Sequence, residues 1–191
     1  MIKQFQAIAE EHKQALKDTF NGDNLQLLEQ IAREILKAFK AGHKLLLCGN
    51  GGSAADSQHI AAEFIARFKR ERKSLPAIAL STDTSILTAV ANDYSYEQIF
   101  SRQVEGLGQK GDILMALSTS GNSPNVLEAV RQAREQGVFT IGMTGGSGGK
   151  LKSSVDLCFV AVSPKTPHIQ EMHITALHAI SEVVEDVLFG S

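Results

Sequence analysis

From Lys44 onward, short runs of mostly apolar residues alternate with longer segments of helical periodicity. The runs cover residues 44–48, 76–80, 112–117, 138–143 and 157–162. Apolar residues follow one another in these runs instead of alternating with polar ones, so each is expected to be a strand covered on both faces. Between them the spacing predicts helices near residues 53–69, 84–91, 95–106 and 124–136, with a last helix over about 168–188. Buried strands separated by helices make a parallel sheet. The expected fold class is therefore α/β: a three-layer αβα doubly wound domain on a five-stranded parallel sheet.

Two amphipathic helices, residues 2–19 and 24–41, precede this pattern. In the second, Leu25, Leu28, Ile31, Ile35, Leu36 and Phe39 recur at helical spacing. The turn formers Asn21, Gly22, Asp23 and Asn24 separate the pair. Two helices bury too little to fold alone. Residues 1–42 are expected to pack as an N-terminal extension on the body, residues 43–191, or on another subunit.

The net charge of −2 excludes general nucleic-acid binding, which needs concentrated positive charge. The one basic run, residues 67–73 (RFKRERK), is expected to be the solvated end of a helix. Cys48 and Cys158 sit in apolar runs and are expected to be buried thiols in a reducing compartment. No apolar run approaches the length of a membrane span, and residues 1–20 lack the apolar core of a signal peptide. A cytoplasmic location is expected.

In doubly wound sheets ligands bind outside the carboxyl ends of strands. Three polar turns stand at such ends: residues 49–53, 118–123 and 144–149. The first, Gly49-Asn50-Gly51-Gly52-Ser53, leads from a strand into the exposed start of a helix, an arrangement that binds anions. The second places the hydroxyls of Ser118, Thr119, Ser120 and Ser123 beside a helix opened by Pro124. Hydroxyls and helix N–H groups without a lysine suit a phosphate monoester. Neither turn is a Walker A motif, and Ser81 and Thr82 follow the second strand where a dinucleotide site needs an acid, so no nucleotide cofactor is expected. The third turn, Gly145-Gly146-Ser147-Gly148-Gly149, reads as backbone requiring glycine for its conformation alone.

His59 and Glu63 lie four residues apart on the helix that follows the first turn. By spacing alone they read as a solvated i,i+4 pair; their helix's start at the anion turn is the argument for chemistry. On the last helix Gln170 and His178 are about 80° apart at 100° per residue, on one stripe. His173 lies about 60° to the other side of Gln170, which suits a separate or structural role. His168 is expected to be a polar residue at the helix start. Two imidazoles, a carboxylate and an amide can chelate a divalent metal, most plausibly zinc.

The segments GNGGSAADSQHIAAE, AND at 91–93, ALSTSGNSPNV at 116–126 and IQEMHITALH at 169–178 resemble, in the same order, those of bacterial phosphoheptose isomerases. These are sugar-isomerase (SIS) domain enzymes that convert sedoheptulose 7-phosphate to D-glycero-D-manno-heptose 7-phosphate, a precursor of the lipopolysaccharide core. The resemblance implies that Asn50, Gly51, Gly52 and Ser53 contact substrate together with Asn92, Asp93 and Gln170. It places phosphate at Ser118, Thr119, Ser120 and Ser123, an acid–base pair at Glu63 and His178, and zinc at His59, Glu63, Gln170 and His178. It also implies a homotetramer with active sites between subunits. One departure stands out: Pro167 and His168 replace residues that include an arginine in the family, so a substrate contact there is in doubt. Other SIS proteins only bind the bacterial replication initiator or sense a sugar phosphate. The former carry other residues at the positions of Glu63 and His178.

Overall fold

In the computed structural model, which describes residues 1–190, the five apolar runs form five parallel strands. They are β1 (Leu45–Gly49), β2 (Ala77–Ala79), β3 (Ile113–Leu117), β4 (Phe139–Gly145) and β5 (Leu157–Ala161), in the spatial order β2-β1-β3-β4-β5. Both faces of the sheet are covered, which is why the runs are continuously apolar. Successive residues point to opposite faces. Leu45 and Leu47 enter a core with Ile35, Phe64, Met172 and Leu177. Leu46 and Cys48 enter a second core with Phe100, Val104, Val126 and Val130.

The first core is closed by α2 (Gly22–Lys40), α3 (Gly52–Ile65) and α7 (Thr166–Phe189), and α1 (Ile2–Thr19) lies outside it against α7 and β5. The second is closed by α4 (Thr84–Asp93), α5 (Ser101–Leu107) and α6 (Pro124–Glu135). The N-terminal pair divides its work. Helix α2 buries Leu28, Ile31, Ala32, Ile35 and Ala38 against the sheet and α7, whereas α1 buries only Ala15 and Thr19. Asn21 caps α2 by accepting a hydrogen bond from the Asn24 N–H at 3.1 Å, as its turn formers suggest.

Strand β1 is followed in space by β2 on one side and β3 on the other. The chain winds outward from β1 to β2, then crosses back to β3. The crevice between the carboxyl ends of β1 and β3 is thus the topological switch point, where such sheets bind ligands. Two expected polar turns flank it.

Three local expectations need correction. The predicted helix at 95–106 is broken into a 3₁₀ turn, Tyr96–Gln98, and α5, because Ile99 and Phe100 turn inward to the second core between them. The helix expected over 53–69 ends at Ile65, so the basic run is not a helix end. It is an irregular loop in which four of the five cations are paired, Arg67 with Glu71, Lys69 with Glu182, Arg70 with Asp186 and Arg72 with Glu185. Finally, Cys48 is fully buried but Cys158 only partly so, because it sits on the edge strand β5.

Candidate active site

The turn after β1 holds its shape through glycine. Gly51 has φ +56°, a backbone that other residues rarely adopt, and it precedes the first turn of α3. Gly49 is closely covered: a Cβ there would lie 2.8 Å from the backbone oxygen of Ser53. Ser53 itself is buried beneath the turn. Asn50 faces the crevice and forms a reciprocal amide pair with Asn125. Each side chain donates to the other at 2.8 Å, and the Tyr96 hydroxyl donates to Asn50 Oδ1 at 3.2 Å. Neither Asn125 nor Tyr96 was expected from sequence. Asn125 reads there as an ordinary first-turn helix residue, and its partner is 75 positions away.

Across the switch point the serine-rich turn leaves β3. Ser118 and Ser123 hydroxyls lie 2.9 Å apart, and the Ser123 N–H reaches Ser118 Oγ at 3.4 Å. Ser123 is the N-cap residue of α6 and Pro124, which has no N–H, follows it; Val126 and Leu127 donate to Ser123 O at 3.1 and 3.0 Å, which leaves the Asn125 N–H at the helix start without an intrahelical partner. Thr119 is half-buried and Ser120 exposed. The glycine turn after β4 does more than supply its own conformation. A Cβ on Gly121 would lie 2.0 Å from Gly148 O, and one on Gly149 would lie 2.4 Å from Ser120 O. The two turns interlock, and the third braces the second.

The titratable groups meet where α3 crosses α7. His59 Nε2 lies 3.0 Å from Glu63 Oε1 and 3.3 Å from His178 Nε2. Ligand atoms of all three fall within 4.8 Å of one another. The His59 and His178 rings meet edge to face at 4.9 Å, and Phe68 flanks His178 at 5.7 Å. Gln170 joins from the first turns of α7: its amide lies directly over Gly52, where a Cβ would come within 2.6 Å of Nε2. One turn before His59, Asp56 is half-buried and its Oδ2 has no partner among the described residues. Burial raises its pKa, against a lowering by the nearby His59.

The structure therefore brings Asn50, Gly51, Gly52 and Ser53 to one lip of the crevice and Ser118, Thr119, Ser120 and Ser123 to the other. His59, Glu63, Gln170 and His178 lie beside the first lip, joined to it through α3 and through Gln170. Asn92 and Asp93, at the end of α4, are exposed and bonded to each other at 2.8 Å. They make no hydrogen bond to the cluster; the nearby link to the first turn is Tyr96.

The two other histidines of α7 lie outside the cluster. His173 is fully buried and its Nε2–H donates to the Thr144 carbonyl at 2.9 Å, tying α7 to the end of β4. Burial outweighs that bond and pushes its pKa down to about 4, so it is a neutral structural residue. His168 stands at the start of α7 as expected, but it is buried under α1, edge to face with His12 at 6.0 Å.

A SIS-domain family model matches residues 9–145. Among curated relatives, the phosphoheptose isomerase of Roseiflexus sp. (strain RS-1) is 58% identical over 163 residues, spanning 85% of this chain and 83% of the relative. That of Clostridium acetobutylicum is 48% identical over 187 residues, 98% of this chain and 94% of the relative. Among solved structures, a phosphoheptose isomerase from Neisseria gonorrhoeae superposes with a TM-score of 0.91 at 40% identity, covering 96% of this chain and 98% of that one.

Proposed function

The chain belongs to the SIS-domain phosphoheptose isomerases, and on that premise we propose that it interconverts sedoheptulose 7-phosphate and D-glycero-D-manno-heptose 7-phosphate, with Glu63 and His178 as its acid–base pair. The observation that carries the chemistry is the meeting of Glu63, His59 and His178 beside a crevice lined by hydroxyls and helix N–H groups. Ketose-to-aldose conversion moves one proton between adjacent carbons and one between their oxygens. Glu63 removes the proton from C1 of the ketose while His178 gives one to O2, which leaves the enediol. Glu63 then returns its proton to C2 and His178 takes the one on O1, so both groups end as they began. Each such transfer typically contributes ~10²–10⁴ in rate.

The phosphate fits Ser118, Thr119, Ser120, Ser123 and the start of α6, where helix N–H groups offset its charge. Asn50, Gly51 and Gly52 hold the sugar, with Asn92, Asp93 and Gln170 as further contacts, while Ser53, expected among them, is buried and supports the turn through its N–H to Asn50 O. His59, Glu63, Gln170 and His178 are the residues that would hold a zinc ion. Support comes from the two Nε2 atoms 3.3 Å apart with a carboxylate oxygen alongside, a nitrogen and oxygen donor set that zinc favours. When bound, the metal supplies Lewis-acid polarisation of the carbonyl. Glu63 Oε1 is the oxygen facing His59, which leaves Oε2 for proton transfer, and His178 Nε2 carries a transferable proton only while it is off the metal.

Assembly as a homotetramer, with residues 1–42 at subunit contacts and active sites between subunits, is part of the same reading. Ile2, Phe5 and Ile8 on α1 are 75%, 70% and 56% exposed, more apolar surface than one helix of a monomer needs to show. The product is read as a precursor of lipopolysaccharide-core heptose, and the site of action as the cytoplasm. Among the described residues no helix is long and apolar enough to cross a membrane. The test is incubation with sedoheptulose 7-phosphate, with chelator and with added zinc, for wild type, Glu63→Gln and His178→Gln. Aldose should form with wild type alone. Near-normal turnover by either variant removes that residue from the mechanism.

A further inference from the structure

The loop at residues 66–75 between α3 and β2 is held by an ion pair with almost no exposure. The side chains of Arg72 and Glu185 are 1% and 2% exposed, and Arg72 Nε donates to Glu185 Oε2 at 2.9 Å. Glu185 also accepts from three successive backbone N–H groups, Phe68 at 3.0 Å, Lys69 at 2.7 Å and Arg70 at 2.8 Å. Burial alone would raise the Glu185 pKa. The three N–H donors and the guanidinium outweigh it and hold the carboxyl down at about 2.

Arg72 reaches in the other direction as well. Its Nη2 donates to the Glu63 carbonyl at 2.8 Å and its Nη1 to the Phe64 carbonyl at 2.7 Å. These carbonyls belong to the last turn of α3, which has no intrahelical donors for them. On α7, Glu185 stands seven residues after His178, two turns along and within about 20° of the same stripe. The loop between the two contacts sets the Phe68 ring 5.7 Å from the His178 imidazole.

We propose that Arg72, Glu185 and Phe68 form a positioning clamp that fixes the turn carrying Glu63 against the stripe carrying His178. A buried ion pair adds little net stability over apolar residues of the same volume, so geometry is what this one supplies. One guanidinium binds the backbone of the residue read as the base, and its partner carboxylate sits on the helix of the residue read as the acid. The clamp touches neither the serine turn nor the start of α6. It should therefore act on chemistry and on metal affinity while leaving phosphate binding alone.

The inference rests on the isomerase reading of Glu63 and His178, and the test separates the two. Glu185→Gln keeps the volume but sets an NH₂ donor among N–H donors. A misplacement of about 1 Å costs on the order of 10²-fold in rate. The expected kcat for sedoheptulose 7-phosphate is thus about 10²-fold lower, with KM within about threefold. Zinc, titrated without sugar, should bind about tenfold more weakly. If wild type binds zinc without isomerising the sugar, the isomerase reading falls and the zinc arm still decides the clamp. A cooperatively melting Glu185→Gln protein with kcat and zinc Kd both within twofold of wild type overturns the proposal. Should that variant not fold, Phe68→Leu, at a half-buried loop position, decides by the same two readouts: a lower kcat with a higher zinc Kd supports the clamp and wild-type values overturn it.

Discussion

Gly52→Ala separates activity from stability, because the added methyl meets only the end of one side chain. Its Cβ would lie 2.6 Å from Gln170 Nε2, 2.8 Å from Cδ and 2.9 Å from Oε1. Ordinary carbon contacts lie near 3.5–4.0 Å, so the amide must retreat by about 1 Å. Gln170 can do so by rotation, at a cost on the order of 0.5–1.5 kcal/mol. Alanine in place of glycine in a helix returns up to about 1 kcal/mol, less in a first turn. Net stability should change by less than about 1 kcal/mol, or about 2–4 °C in Tm for a chain of this length. The retreat, however, takes Gln170 away from His59, Glu63 and His178, and a displacement of that size costs about 10² in rate. Melting and turnover of sedoheptulose 7-phosphate are measured on the same preparation. Unchanged kcat would show that Gln170 has no role at its observed position, and a Tm loss beyond about 10 °C would show that it cannot turn aside. Gly49→Ala is the control, since its Cβ meets the Ser53 backbone at 2.8 Å and only the fold can yield.

Ser123→Ala removes a hydroxyl that faces Ser118 at 2.9 Å, and KM for the sugar phosphate should rise about tenfold with kcat little changed. An unchanged KM would move the phosphate elsewhere. Glu185 has a folded pKa held near 2, below its unfolded value, so its contribution is complete above about pH 4.5 and fades as pH falls toward 2. Tm plotted against pH should drop less steeply across that window in Glu185→Gln than in wild type; parallel curves would contradict the bonding around this carboxylate. His173, with a folded pKa near 4, destabilises the protein increasingly as pH falls from about 6.5 toward 4, because only the unfolded chain takes up its proton. Burial pushes the Cys48 thiol up to about 12, so it should stay unmodified by an aromatic disulfide reagent at pH 8 until denaturant is added; rapid labelling of the native protein would contradict its burial.

The sheet was legible because its strands are buried on both faces, which writes them as unbroken apolar runs. The crevice was legible too, since each polar turn stands directly after such a run. The basic stretch at 67–73 was misread for a definite reason. Its composition matches a solvated surface, and the carboxylate that buries Arg72 lies 113 residues further on. Asn125 was missed on the same ground: an amide pair across a switch point has no signature in local spacing. His168 reads as polar from its place at a helix start, yet α1 folds over it. Pro167 stands in the first turn of α7, and His168 beside it packs against His12 of α1.

The reciprocal Asn50–Asn125 pair joins the two lips of the crevice with groups that carry no charge. Within the pair each amide gives one bond and receives one, and Asn50 Oδ1 also accepts from Tyr96, so neither salt nor acid loosens the joint. Every titratable group of the cluster lies on α3 or α7, outside that frame. The scaffold and the chemistry thus obey different variables. Above pH 7, where the phosphate is mostly doubly ionised, a profile of rate against pH follows the groups on α3 and α7, metal ligation included, and not the joint between the two lips.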